Sequence, residues 1–498
     1  MTQGHDKTPN INDEHAIRLA KLLELKGLGV NPYPAQSKRT HTISEALAAT
    51  TDEEVFIVGR VMTKRDMGKL MFCHIQDEFG KMQIAFKKDE IDVDLYKQFS
   101  KKIDIGDIVQ IHGKRFQTHK GEESVLVLAW QLLAKSLLPL PDKFHGMQNE
   151  ELRYRKRYLD FLCNPEQKEK ILARSRVLRS MRNFLDNKGF VEVETPMLET
   201  VASGTMARPF ETYINDYGMP VFLRIAGGEL WLKRLMVGGF EKVYDMGRVF
   251  RYEGVDYSHN PEFTMLEYYW AYADVTDNIL LHQEMIPCIL QEAVGSLKIE
   301  NEGHTLDFTP PYPVKTFREL VKKYSDIDIN DFDDVGDLLA IIKEKGYAVE
   351  ETTNRGKLLD SLYKQSARPK IIQPTFVTEY PVELKPLAKR TKDPRYAEMF
   401  QLVVKGCELS NSYTELNDPL DQRERFEEQA RIKEGGEEED VMLPDEDFVI
   451  AMEHGMPPST GTGIGIDRFV ALITGSHTVR EVVAFPLVKP VGSSQEEE

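Results

Sequence analysis

FRYEGVDYSHNPEF, residues 250–263, reads as a strand, a short loop carrying a glycine and a proline, and a returning strand. The result is an antiparallel hairpin loaded with charge. A guanidinium stays protonated and its planar fork fixes an oxyanion in orientation, so Arg251 is suited to a phosphate oxygen on which charge develops. A carboxylate such as Glu253 can accept from the exocyclic amine of adenine, and Phe263 offers a face on which a base can stack. Taken alone, an Arg-x-Glu hairpin is equally a surface salt-bridge ladder. Further along, GTGIGIDR at residues 461–468, followed by FVALI, reads as a glycine-rich turn opening a helix. Such a turn brings backbone close to a ligand, and Arg468 there can reach phosphate or stack on a base; a tight helix–strand junction is the plainer alternative.

Working outward, the hairpin sits in a long α+β region. Helical stretches such as residues 167–188 alternate with strands such as 221–225 and 243–251, and this domain runs over residues 166–490, with a mainly helical insertion at about 311–370. Before it, a basic, aromatic helix lies in a linker at 141–165, preceded by the proline-marked LPLP of residues 138–141. Residues 51–140 have a different texture: the short β-rich runs VFIVGRV, LMFCHIQD, KMQIAF, DIVQIHGKRF and SVLVLAW, with a polar helical stretch between the third and fourth. Five such strands predict an OB-type barrel. An N-terminal extension, residues 1–50, carries one amphipathic helix from about 13 to 28, and an acidic tail covers 491–498.

Bulk properties bound the function. A chain of 498 residues is too long for one core, and length alone predicts about three domains. Nothing approaches the roughly twenty uninterrupted apolar residues of a membrane span. The first residues are polar and of mixed charge, unlike a secretion signal, which predicts a cytoplasmic chain. The four cysteines, at 73, 163, 288 and 407, form no C-x-x-C pair for zinc. A net charge of -17 argues against gripping nucleic acid over the whole surface, while leaving local patches open.

FRYE with NPEF, GTGIGIDR, and the helix–strand–proline run of residues 171–196 resemble motifs 2, 3 and 1 of the class II aminoacyl-tRNA synthetases, in the expected order. The segments KFHGMQNEELRYRKRYLD, VASGTMARPFET, LKRLMVGGFEKVYDMGRVFR, HNPEFTMLEYYWAYAD, ELKPLAKR and ELSNSYTELND narrow the resemblance to the lysyl branch, the subclass with an N-terminal OB domain. It covers about residues 13–490. It implies an enzyme that activates L-lysine with ATP and magnesium, transfers it to tRNA(Lys), and works as a homodimer with motif 1 at the subunit interface.

The resemblance also assigns residues. Glu267, Tyr269 and Glu415 match those holding the lysine side-chain ammonium, which suits a three-donor group needing carboxylates at the far end of its pocket. Glu229 matches the α-amino contact, with Gly204 beside it; Asn411 and Arg251 match contacts to the substrate carboxylate; Tyr413 matches a wall along the stem. Arg251 and Arg468 are the implied catalytic pair. For ATP, Arg251 falls to the α-phosphate, Glu253 to adenine, His259 to the outer phosphates, and Phe263 and Arg468 to opposite faces of the base. Glu408 matches a magnesium ligand. In the barrel, Phe72, Gln83 and Glu122 match residues that stack on and hydrogen-bond to anticodon bases, as unpaired bases are usually read. Arg60, Lys64, Arg65 and Lys69 are candidates for nearby phosphates, or else a charged strand edge.

Three positions depart from the family pattern. Gln401 stands where a metal-binding carboxylate is common, Gly227 and Gly228 stand where a single proline usually precedes Glu229, and Tyr252 replaces an asparagine. Rival readings are weaker. An aspartate or asparagine enzyme of the same subclass would favour a basic or amide-lined pocket, against Glu267 and Glu415. A ligase that lysylates a protein would lack the anticodon domain. A non-catalytic tRNA-binding protein on this fold would have lost Arg251 or Arg468.

Overall fold

The computed structural model describes residues 11–490 except 142–146, 148, 202–203, 206, 253, 351, 353 and 435–443. The tail at 491–498, the first ten residues and Glu253 therefore lie outside the described residues. The chain divides into two compact units, Met1–Gln148 and Asn149–Glu498.

The first unit is an OB-type barrel with helices α1 (Ile11–Gly27), α2 (Ile43–Ala48) and α3 (Val93–Lys102). Strands β1 (Glu54–Asp66), β2 (Leu70–Gln76), β3 (Lys81–Lys87), β4 (Ile108–Gln117) and β5 (Glu123–Ala134) close in the order β1-β2-β3-β5-β4. Period-two alternation fills the interior: Met71, Cys73 and Ile75 of β2 are fully buried, with Ile57, Ile84, Phe86, Ile111 and Val127 from the other strands. The intervening residues Phe72 and His74 consequently point away from the core. Two of the basic residues proposed for phosphate do something else. The ammonium of Lys64 donates to the carbonyls of Phe99 (3.0 Å) and Ile103 (2.7 Å) at the end of α3, and Arg60 donates to Gly106 O at 2.7 Å. The carbonyls at a helix C-terminus are unpaired and attract cations, so Lys64 serves the barrel's own fold.

The second unit is α+β, built on a sheet of eight strands: β6 (Val191–Glu192), β7 (Lys242–Phe250), β8 (Glu262–Ala271), β9 (Val314–Thr316), β10 (Thr375–Thr378), β11 (Met399–Val404), β12 (Cys407–Thr414) and β13 (Ser459–Gly465). Their order is β9-β10-β11-β12-β13-β8-β7-β6, antiparallel except for the outermost pair at each edge. Helices α4 (Pro165–Asn187), α5 (Glu229–Val237), α6 (Val275–Val294), α7 (Phe317–Ser325), α8 (Val335–Glu344), α9 (Arg355–Ser366) and α10 (Ile466–Ile473) surround it.

One face is sealed: Val177 and Met181 of α4, Met285 and Ile289 of α6, and Phe469 and Val470 of α10 pack with Leu266, Tyr268, Phe400 and Ile464 of the sheet. Beneath the central strands the buried Asn278 of α6 donates to Ser412 Oγ (2.8 Å) and Thr462 Oγ1 (2.8 Å), and accepts from Tyr268 O–H (2.5 Å). A buried amide with several partners satisfied braces the sheet without the cost of an orphan. Helices α7 to α9 carry a core of their own around Phe317, Leu359 and Tyr363.

Two local readings are corrected. GTGIG lies wholly in the central strand β13, and the helix begins only after it, at Ile466 and Asp467 before Arg468. The strand expected to include Arg251 ends at Phe250, and the loop to β8 spans residues 251–261, longer than the short loop expected, so Arg251 opens that loop.

Candidate active site

The open face of the sheet carries the site in two rows. Pairing across β11, β12, β13, β8 and β7 aligns Gln401, Asn411, Gly463, Glu267 and Asp245. The next row aligns Met399, Tyr413, Gly461, Tyr269 and Val243. Directly paired residues share a face, so Asn411, Tyr413, Glu267 and Tyr269 converge on the two glycines between them. This explains the glycines without a turn. A Cβ at Gly461 would meet the Tyr269 ring and Glu415 Oε1, and one at Gly463 would meet Met265. The bulge between Leu402 and Val403 pairs Val403 with Glu408, which brings Glu408 to the face that holds Asn411.

These side chains line one cavity, together with Gly204, Glu229, Arg251, Lys385 and Glu408. Its acidic end is unusual for an interior. Glu415 is fully buried, Glu267 is 3% exposed and Glu229 7%. Glu267 Oε1 accepts from Gly227 N–H at 2.7 Å, while its Oε2 has no hydrogen-bond partner among the described residues. The N-cap of α5 explains the glycine pair: Gly228 has φ +95°, where an L side chain is strained, and a Cβ on Gly227 would meet the Glu267 carboxylate. Tyr413 O–H donates to Glu229. One buried cation, Lys233, ties the acids together, 2.8 Å from Glu229 and 2.6 Å from Glu415, with the rings of Tyr269 and Tyr413 nearby.

Lys233 was not picked out from the sequence. The signal was present: it lies four residues after Glu229 on one helix face. Burial, reinforced by the charge of Glu229, pushes the Glu267 carboxyl well above the usual range. Burial also raises Glu415, against the lowering effect of Lys233. Against burial, Glu229 and Glu415 hold Lys233 above an ordinary lysine. One end of the cavity is thus lined by Glu229 and Glu267, with Glu415 and the Lys233 ammonium next to them, and the excess of acid favours a ligand that brings positive charge.

A second cavity adjoins the first and shares Arg251, Met265, Glu408, Asn411 and Gly463 with it; His259, Phe263 and Arg468 are among the other residues that line it. The Arg251 guanidinium lies 5.2 Å from the Phe263 ring centroid and donates to Ile225 O at 3.0 Å. His259 is held at both nitrogens, Nδ1 2.8 Å from Asp256 and Nε2 2.9 Å from the Arg468 guanidinium, which must donate there. Tyr252 is exposed and meets Phe210 edge-on.

Among the described residues no three His, Cys, Asp or Glu side chains are grouped to hold an ion. Glu408 stands at the seam of the two cavities, and Gln401 spends its amide oxygen on Tyr380 O–H at 2.6 Å.

On the barrel, Phe72, Gln83 and Glu122 are joined by His74. Gln83 Nε2 donates to Glu122 Oε2 at 2.7 Å, and His74, directly opposite Gln83, lies 2.9 Å from Glu122 Oε1. His74 was missed, although its position two residues after Phe72 puts both on one strand face.

A closed five-stranded barrel and a sheet bearing two adjoining polar cavities agree with what sequence comparison finds. Residues 149–489 match the family of tRNA synthetases class II (D, K and N), and residues 55–140 match the OB-fold nucleic acid binding domain. The chain belongs to the class II tRNA synthetases. It is 44% identical over 496 residues to the lysine–tRNA ligase of Pelotomaculum thermopropionicum, covering 98% of this chain and 97% of that one. It is also 45% identical over 484 residues to that of Carboxydothermus hydrogenoformans (96% and 99% covered) and 42% identical over 502 residues to that of Escherichia coli O157:H7 (98% and 99%). Within its class, the chain is a member of the lysine–tRNA ligase family.

Proposed function

We propose that this chain activates L-lysine with ATP, releasing pyrophosphate, and transfers the lysyl group to the 3′ end of tRNA(Lys). The observation that carries the reading is the charge at the acidic end of the first cavity: there Glu229, Glu267 and the adjoining Glu415 outnumber Lys233, the cation that pairs with two of them, and free lysine brings two ammonium groups. The side-chain ammonium sits against Glu267, Glu415 and Tyr269. The α-amino group sits at Glu229 beside Gly204, the stem runs along Tyr413, and the carboxylate faces Asn411 and Arg251, towards the second cavity.

There, Phe263 and Arg468 sandwich adenine, Glu253 accepts from its amine, Arg251 holds the α-phosphate and His259 faces the outer phosphates. The lysine carboxylate attacks the α-phosphorus in line, pyrophosphate leaves, and a ribose hydroxyl of the tRNA then attacks the carbonyl as AMP departs. No protein nucleophile is needed; Arg251 and Arg468 act by positioning and charge stabilisation. Glu408 is the carboxylate that would hold a magnesium ion beside the ATP phosphates, where such an ion would supply charge neutralisation, and Gln401 contributes no charge there.

The barrel reads the anticodon, with Phe72 stacking and Gln83 and Glu122 meeting base edges. We also propose a cytoplasmic homodimer. The resemblance puts α4 and the strand after it at the subunit interface, and Val191, Met197, Leu198 and Val201 on that stretch are exposed apolar side chains needing cover. Charging of tRNA(Lys) with labelled lysine by the purified protein tests the reading. Acid-precipitable lysyl-tRNA that requires ATP supports it, and charging with another amino acid or none contradicts it.

A further inference from the structure

Lys385 lines the lysine cavity on the loop bearing Leu384, Pro386 and Leu387, and it is half-buried. Its surroundings differ from those of the cavity's other lysine. Lys233 is clasped by two carboxylates, whereas among the described residues no carboxylate oxygen comes within 4.0 Å of the Lys385 ammonium. Its hydrogen bond is to Asn411 Oδ1 at 3.2 Å. Desolvation pulls its pKa down, against the pull of Glu408. A partly desolvated ammonium with a neutral partner is stabilised by an incoming anion.

The amide beside it is set for the same guest. Gln401 is fixed by Tyr380 O–H on its oxygen, so its Nε2 faces Asn411 and donates to Oδ1 at 3.4 Å. Asn411 Oδ1 thus accepts from both Gln401 and Lys385, which leaves its Nδ2 to donate into the cavity.

We infer that Lys385 is a substrate-binding residue that takes the α-carboxylate of the amino acid, together with Asn411 Nδ2 and Arg251. The cavity is then polarised end to end, acidic where lysine is cationic and basic where it is anionic. The inference rests on the proposed function, which identifies the ligand as lysine. It adds a specificity element: the cavity selects an α-amino acid over a plain diamine.

Calorimetric titration of the full chain with L-lysine and with 1,5-diaminopentane, which lacks only the carboxylate, tests this. The wild-type protein is expected to bind lysine more tightly than the diamine. Lys385→Met is expected to raise the lysine Kd by about tenfold to a hundredfold, the loss of one hydrogen bond between charged groups, while the diamine Kd stays within about twofold. Equal weakening of both ligands would mark Lys385 as a structural prop and overturn the inference, as would no change in either. Lys385→Arg and Lys385→Gln repeat the comparison with a polar side chain kept in place: Arg retains the preference for lysine and Gln loses it, and the reverse contradicts the proposal. A wild-type protein that binds neither ligand would overturn the lysine reading itself.

Discussion

Glu267→Gln separates the charge of the acidic cavity from its shape. The side chain is buried, its Oε1 accepts from Gly227 N–H and its Oε2 faces the cavity without a hydrogen-bond partner among the described residues. Glutamine keeps the size and can still accept from Gly227. Because burial and Glu229 already push this carboxyl upward, ionising it in the empty cavity is costly, and the neutral isostere spares that cost. Folding stability is therefore expected to change by less than about 1 kcal/mol, or about 3 °C in Tm.

Lysine binding behaves differently. Removing one partner of a buried, hydrogen-bonded charge pair costs about 2–5 kcal/mol, so at about 1.4 kcal/mol per tenfold the KM for lysine rises at least about 30-fold. Glu267 does not line the second cavity, so the KM for ATP stays within about twofold. Lysine- and ATP-dependent pyrophosphate exchange measures both constants, and a thermal melt checks the fold. An unchanged lysine KM, or parallel loss of ATP binding in a stable protein, would refute the reasoning.

Raised carboxyls also predict proton linkage. Glu267 and Glu415 contribute stability that is fully present below ordinary carboxylate pKa values, about 4.3, and is lost as pH rises through their raised folded values, since the cavity resists their ionisation. Lysine supplies the counter-charge, so its binding should release protons and its stabilising shift in Tm should grow between about pH 6 and 8. Calorimetry in buffers of different ionisation enthalpy reads the released protons, and proton uptake would contradict the assignment. Gly461→Ala places a methyl against the Tyr269 ring and Glu415, which at about 1–3 kcal/mol for overpacking should lower Tm and raise the lysine KM; a variant normal in both would remove the close-approach argument. Phe72→Ala should weaken tRNA binding by about 1–3 kcal/mol, as for a lost stacking platform, with pyrophosphate exchange unaffected; equal loss of both would tie Phe72 to the barrel's stability instead.

Much of the architecture was legible because period and composition change where the units change. The barrel strands alternate buried and outward residues, but Phe72 could be assigned to the outer face only through the resemblance, since a lone phenylalanine on a strand more often faces the core. The charged hairpin could be read because Arg251 and Phe263 lie at strand ends. The glycines of residues 461–465 misled because glycine serves two purposes, turning a chain and letting neighbours approach, and sequence does not separate them. Here the second holds, and it depends on Tyr269 and Glu415, which arrive from other strands.

Lys233 escaped for a related reason. In sequence it is one more basic residue on an amphipathic helix, and only the fold closes two carboxylates around it. Lys64 made the opposite error possible: a basic residue on a strand suggests phosphate until the carbonyls at the end of α3 are seen to take it. Lys385 is likewise silent in sequence, since its meaning lies in the carboxylates that are not near it among the described residues.

The most direct test of the central claim is amino-acid-dependent exchange of pyrophosphate into ATP, with each of the twenty amino acids, magnesium present and tRNA absent. The account predicts exchange with lysine alone. Exchange with another amino acid would contradict the charge argument for the acidic cavity, and exchange with none would contradict the assignment of the two cavities to lysine and ATP.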